Sequence, residues 1–215
     1  MDRIERAICN TMQATLKRYG FELCKDWGYF VRNQGYGHDA FLVVNQGTAK
    51  GRFFEIKCYV EVRHDRIEIP WNTLGMVYGE DNQRQTWTLN WRPPLGQDAV
   101  PMHVVPESMN EDAARIGQEL SNVFEQRALP FYQRFGDLAE VEEWVNKKPL
   151  ADTNPSAGGP IEHLAMRSLL LAKAVNPQRY AAVREAFIQM DKGMFPRERR
   201  IQMLQKVDSM LLSAE

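Results

Sequence analysis

Only three cysteines, Cys9, Cys24 and Cys58, occur in the 215 residues of this chain. Odd in number and far apart, they exclude a disulfide framework and the close thiol pairs of structural zinc, and they suit reduced thiols in a cytosol. No stretch approaches the roughly 20 apolar residues that a membrane-spanning helix requires. The opening MDRIERAICN places charges where a secretory leader needs an unbroken apolar core, so a cytoplasmic protein without membrane association is expected. Charge of one sign is missing too. Lys and Arg number 27 against 28 Asp and Glu, and neither side of Val105 is polarised, which removes any global footprint for nucleic acid or anionic lipid. His38, His64, His103 and His163 are scattered, with no second His or Cys at metal-ligand spacing. Ser108 and Ser168 have no nucleophile signature around them, and Gly35-Tyr36-Gly37 lacks the strand-to-helix setting of a phosphate-cradling loop. No fixed-period repeat argues for a solenoid.

What the chain does have is ordinary globular composition, 44% apolar and 26% charged, enough to build a core without staples. Its organising stretch runs from His38 to Arg63. Phe54, Ile56, Cys58, Val60 and Val62 alternate with Phe53, Glu55, Lys57, Tyr59, Glu61 and Arg63, which describes a strand buried on one side. Residues 40–46 are β-rich, and 47–51 are short and polar enough to join the two as a hairpin in the middle of an antiparallel sheet. Ahead of them, Ile4, Ile8, Met12, Leu16 and Tyr19 form one stripe of a helix that Gly20 stops. Residues 21–25 and 29–32 read as short strands, and Gln34-Gly35-Tyr36-Gly37 as a loop. Ile67, Ile69 and Trp71 alternate with polar neighbours and predict a further strand over 66–71. Residues 72–83 read mainly as loop, and 84–91 as a strand with Trp87, Leu89 and Trp91 on one face.

Beyond Pro93-Pro94 the period changes to helical. Ser108 and Glu111 have capping-box spacing ahead of Met109, Ala113, Ile116, Leu120 and Val123, and Pro130 is expected to kink or end that helix. Asp137 starts a shorter one. Residues 148–160, rich in Pro and Gly, read as an irregular connection before helices over 161–175, 177–192 and 196–212, the second capped by Asn176 ahead of Pro177. Tyr180, Val183, Phe187 and Met190 give its inner stripe, and Ile201, Leu204, Val207 and Leu211 that of the last helix. The expected fold is α+β: residues 1–105 carry the N-terminal helix and antiparallel sheet, and 106–215 form a helical region that either packs on the sheet as one domain or stands apart.

Asp39, followed one strand and one turn later by Glu55-Ile56-Lys57, resembles the D…ExK arrangement of the restriction-endonuclease-like nuclease superfamily. That resemblance implies Asp39 and Glu55 as ligands of Mg or Mn, and Lys57 as the group assisting the attacking water. Nucleic acid enters as a partner only on that reading. Against it, the superfamily follows the ExK strand with a helix, whereas alternation here continues through Tyr59 to Arg63. The same residues also describe the wetted, charge-alternating face of a half-buried strand. Trp71, Trp87 and Trp91 could form a recognition platform or the face of the sheet beneath helices. Tyr36 and Tyr78, flanked by glycine, are candidate contact residues, as are Arg197, Arg199 and Arg200, which crowd the start of the last helix where the macrodipole disfavours cations.

The order of Leu16-Lys17-Arg18-Tyr19-Gly20-Phe21, Tyr29-Phe30-Val31-Arg32, Val43-Val44-Asn45-Gln46 and a late Leu129-Pro130 is similar to small bacterial α+β families, some of them resembling immunity proteins of toxin systems. This resemblance implies no catalytic residues to carry over. With no coherent active-site constellation, a near-neutral charge and a large helical appendage, the expected role is a non-enzymatic cytosolic protein that binds a protein partner, an immunity-type toxin inhibitor among the candidates, without metal or cofactor.

Overall fold

The computed structural model describes residues 2–24, 29–47, 54–74, 86–93, 103–104, 108–147, 161–190 and 195–210. They form an α+β fold in which helix α1 (Arg3–Arg18) precedes an antiparallel sheet and helices dominate thereafter. The strands are β1 (Glu22–Cys24), β2 (Tyr29–Gln34), β3 (Gly37–Gly47), β4 (Phe54–His64), β5 (Leu89–Trp91) and β6 (His103–Val104). Their order is β1-β2-β3-β4-β5, with β6 also paired to β4. The β3–β4 pair thus takes the middle of the sheet. Helix α2 (Asp65–Thr73) follows β4 directly. The later helices are α3 (Met109–Val123), α4 (Leu129–Phe135), α5 (Leu138–Asn146), α6 (Ile161–Val175), α7 (Pro177–Ile188) and α8 (Arg197–Ser209). By contacts the chain divides into one unit of Met1–Glu61 with Trp91–Gln133, and a second of Val62–Asn90 with Arg134–Glu215.

In the first unit α1 begins with a reciprocal cap: Glu5 N donates to Asp2 Oδ1 at 2.8 Å and Asp2 N to Glu5 Oε2 at 2.9 Å. Ile4, Ile8, Met12 and Leu16 are buried as their spacing predicts. Tyr19, expected in that stripe, is 37% exposed, because the helix stops at Arg18 and Gly20 turns the chain with a φ of 81°. The Gln34–Gly37 segment is a correction to the loop reading: Gly35 and Tyr36 are the tight turn of a β2–β3 hairpin that pairs Gln34 with Gly37 and Phe30 with Phe41. Phe41 and Phe21 both meet the Phe124 ring edge-on, at 5.5 and 5.1 Å, so aromatic contacts hold the turn that follows α3 against this part of the first unit. On β4, Ile56, Cys58, Val60 and Val62 are buried while Glu55, Lys57, Tyr59 and Glu61 are partly exposed, in keeping with the alternation; Arg63, expected on the wetted face, is instead buried, donating to Thr86 O. The 48–51 part of the proposed connecting turn lies outside the described residues.

Two helical expectations also change. Ser108 does not cap α3, since its hydroxyl donates to the Asp112 carboxylate instead. Pro130 neither ends nor breaks the helix. Residues Phe124–Ala128 widen into a π-helical turn between α3 and α4, which shifts the hydrogen-bond pattern just before the residue with no N–H to give.

In the second unit, 66–71 is helix and not the strand its alternation suggested. The helical turn brings Ile67, Glu68 and Trp71 to the buried side and leaves Ile69 56% exposed. Tertiary pairing decides the outcome: Glu68, fully buried, receives Arg167 Nε and Nη2 at 2.8 and 3.0 Å, with the Arg167 guanidinium 4.0 Å over the Trp71 ring. The tryptophans therefore do not share one strand face. Of the expected 84–91 strand, 89–91 is strand, 86–88 is not, and 84–85 lie outside the described residues; Arg63 Nη1 donates to Thr86 O at 3.1 Å and His64 N to Thr88 Oγ1 at 2.9 Å. Asp137 and Asn176 cap α5 and α7 as expected, accepting from Ala139 N and Arg179 N. Val183, Phe187 and Met190 face inward on or just after α7, and Leu204 and Val207 on α8; Ile201, expected with them, is 37% exposed. Residues 148–160 and Leu211 lie outside the described residues.

Candidate functional site

The sheet places Asp39 on β3 directly across from Arg32 on β2. Asp39 is fully buried. Its Oδ2 accepts from Arg32 Nη2 at 2.7 Å, Arg32 Nε at 3.1 Å and Gln34 Nε2 at 3.3 Å, and its Oδ1 accepts from the Tyr36 hydroxyl at 2.7 Å. Arg32 is itself held: Nη1 donates to Tyr19 O at 3.3 Å, and the guanidinium lies over Phe21 and Tyr132 at 4.8 and 5.8 Å. Burial, then the hydrogen bond to Asp39, pushes the Tyr36 phenol up, and burial does the same for Tyr132, whose hydroxyl donates to Ala40 O at 2.7 Å. Both phenols keep their protons and act as donors.

Glu55 and Lys57 occupy successive outward positions of β4, with Lys57 Nζ 3.4 Å from Glu55 Oε2 and the Glu55 side chain 41% exposed. They form an ion pair along one strand. A divalent ion shared by Asp39 and Glu55 does not fit this donor set, because each Asp39 oxygen already accepts a hydrogen bond and its nearest charged neighbour is a cation. Among the described residues, no group of three His, Cys, Asp or Glu side chains could hold a metal ion. The structure thus brings Asp39 together with Tyr36, and Glu55 with Lys57, as two separate arrangements. The Tyr36 hydroxyl is spent inside the hairpin. Tyr78 lies outside the described residues.

The arginine cluster separates on folding. Arg200 turns inward, 9% exposed, and Nη2 donates to Ile188 O at 3.3 Å. Arg197 and Arg199 stay exposed, with the Arg199 guanidinium 4.7 Å over the Phe195 ring. Arg199 helps line a half-open cleft of about 490 Å³ together with Leu74, Pro196, Glu198, Gln202, Met203 and Lys206. Leu74 and Met203 supply apolar wall and the two cations its edges. Sequence reasoning found Arg199 from local charge density but missed Met203 and Lys206, although 199, 202, 203 and 206 carry a one-face helical spacing that could have shown them. Leu74, just after α2, is brought there by tertiary packing alone.

His64 places Nε2 2.8 Å from Phe135 O, and His163 meets the Trp71 ring edge-on at 5.3 Å. Trp91 stacks on Phe131 with rings 9° from parallel, centroids 5.0 Å apart. No helix among the described residues is long and apolar enough to cross a membrane. Compared with family models, curated proteins and solved structures, the chain gives no match.

Proposed function

We propose that this chain is a non-enzymatic, cytoplasmic protein-binding protein and, more finely, an immunity-type inhibitor of the bacterial kind that neutralises a toxin by covering part of its surface. The observation that carries the reading is where the chain spends its charges. The carboxylates and lysine with catalytic spacing are committed to pairs within the chain, while the cleft beside α8 has Leu74 and Met203 buried at its floor and exposed charged side chains, Arg199, Lys206 and Glu198, around it. A surface with an apolar centre and a polar rim is the usual anatomy of a protein contact. Cys9, Cys24 and Cys58 stand outside any disulfide, which suits a reducing compartment.

The test is the mass of the species that the full chain forms in its native cells, measured by size-exclusion chromatography with light scattering after gentle purification. A stoichiometric complex with one other protein, whose toxicity the chain suppresses on co-expression, is expected. A chain that stays at its monomer mass of 24.9 kDa and suppresses no co-expressed toxin contradicts the reading.

A further inference from the structure

We propose that the cleft along α8 binds an acidic amphipathic helix of the partner protein, an inference that rests on the protein-binding reading above. The argument starts from which cations of this unit are satisfied. Arg134, Arg167, Arg179 and Arg184 pair with carboxylates, and Lys173 and Arg200 donate to backbone carbonyls. Arg199 has only the Phe195 ring, and neither Arg199 nor Lys206 has a carboxylate or hydrogen-bond partner among the described residues. Both line the same cleft. Glu198 lines it too, so among the described lining residues two cations face one anion, and the positive end of the helix dipole adds to the Arg199 end.

Spacing then selects the occupant. Arg199 and Lys206 are two helical turns apart, about 10 Å along the axis, with Met203 between them and Leu74 alongside, 6% and 7% exposed. A helix with acids at its first and eighth positions repeats that two-turn spacing and presents its fourth or fifth side chain to the apolar wall. An extended peptide returns a side chain to one face only every ~7 Å and misses it. The partner element is therefore a helix of the form acid-x-x-apolar-x-x-x-acid, laid along α8 with its apolar side chain in the cleft.

The experiment is fluorescence anisotropy with the full chain and a labelled alanine-rich helical peptide carrying Glu, Leu and Glu at positions one, four and eight, beside a counterpart with both Glu replaced by Lys. Saturable binding of the acidic peptide is expected, about tenfold tighter than its counterpart and about tenfold weaker to Arg199→Glu/Lys206→Glu. These side chains are exposed; Arg199→Ala/Lys206→Ala serves as a second pair if charge reversal disturbs the melting curve. Absence of saturable binding, equal binding of the Lys peptide, unchanged affinity in the substituted chains, or equal binding of a single-stranded oligonucleotide overturns the inference. A native complex that survives both substitutions also overturns it while leaving the protein-binding reading intact. A wild-type chain with no partner removes that reading itself.

Discussion

A buried carboxylate beside an arginine is stable only while the pairing is complete, and Asp39 shows what completeness takes: three neighbours on one hairpin supply four hydrogen bonds. Asp39→Ala leaves Arg32, only 24% exposed, without its counter-charge and is expected to cost about 3 kcal/mol in urea unfolding. Tyr36→Phe, which removes one donor, should cost about 1 kcal/mol. A stability loss near zero for Asp39→Ala contradicts the structural role. The thiols give a second prediction. Burial pushes Cys9 and Cys58 from their ordinary value of 9.0 up to about 12. The folded chain holds these protons where the unfolded chain releases them, so their contribution is full below pH 9 and is lost as pH rises toward 12. Buried tyrosines act in the same direction at higher pH, so the thiol share is isolated by comparing urea midpoints of wild type and Cys9→Ala/Cys58→Ala between pH 9 and 10. The substituted chain should show the shallower decline; equal slopes contradict the assignment. At this scale the sequence was a partial guide. Glu55 and Lys57 lie on the strand their alternation predicts, whereas Asp39, read as preceding a strand, lies within β3, and its partners depend on register and on a hairpin turn that reads as open loop.

Elements were legible where local signals and burial agree. Helix α1 has its reciprocal cap, its apolar stripe and its glycine stop within one short segment, and all three act on the same residues. Helix α2 was not legible, because Ile67, Ile69 and Trp71 satisfy a two-residue period as well as part of a helical one. The choice falls to Glu68 and Arg167, 99 positions apart. Arg167→Met should therefore destabilise by about 3–5 kcal/mol, with much of the loss recovered when Glu68→Gln is added; a double variant no better than the single contradicts the pairing. The α1–α3 contact supplies another test. A Cβ on Gly117 would lie 2.6 Å from Thr11 Cβ and 3.1 Å from Ile8 O, so helix propensity was surrendered to close approach. Gly117→Ala is expected to lower stability by about 1–3 kcal/mol despite its better propensity, read from thermal or urea unfolding. A gain would show that the two helices can separate at no cost.

For the molecule as a whole, the change from a two-residue to a helical period set the α+β class but could not set its organisation. Each compact unit draws on sequence from both sides of Val105, and the division falls inside β4, β5 and α4, where the period along the chain gives no sign of it. Near-neutral net charge likewise hides local asymmetry: Arg199 and Lys206, without a carboxylate partner among the described residues, come to one face only once α8 folds and Arg200 turns inward. The account rests on Asp39, Glu55 and Lys57 serving the fold while recognition takes place elsewhere. The most direct measurement is cleavage of plasmid DNA and of RNA by purified wild-type chain and Lys57→Ala with Mg²⁺ or Mn²⁺. No cleavage above background by either protein is predicted. Metal-dependent cleavage by wild type that Lys57→Ala abolishes would contradict it.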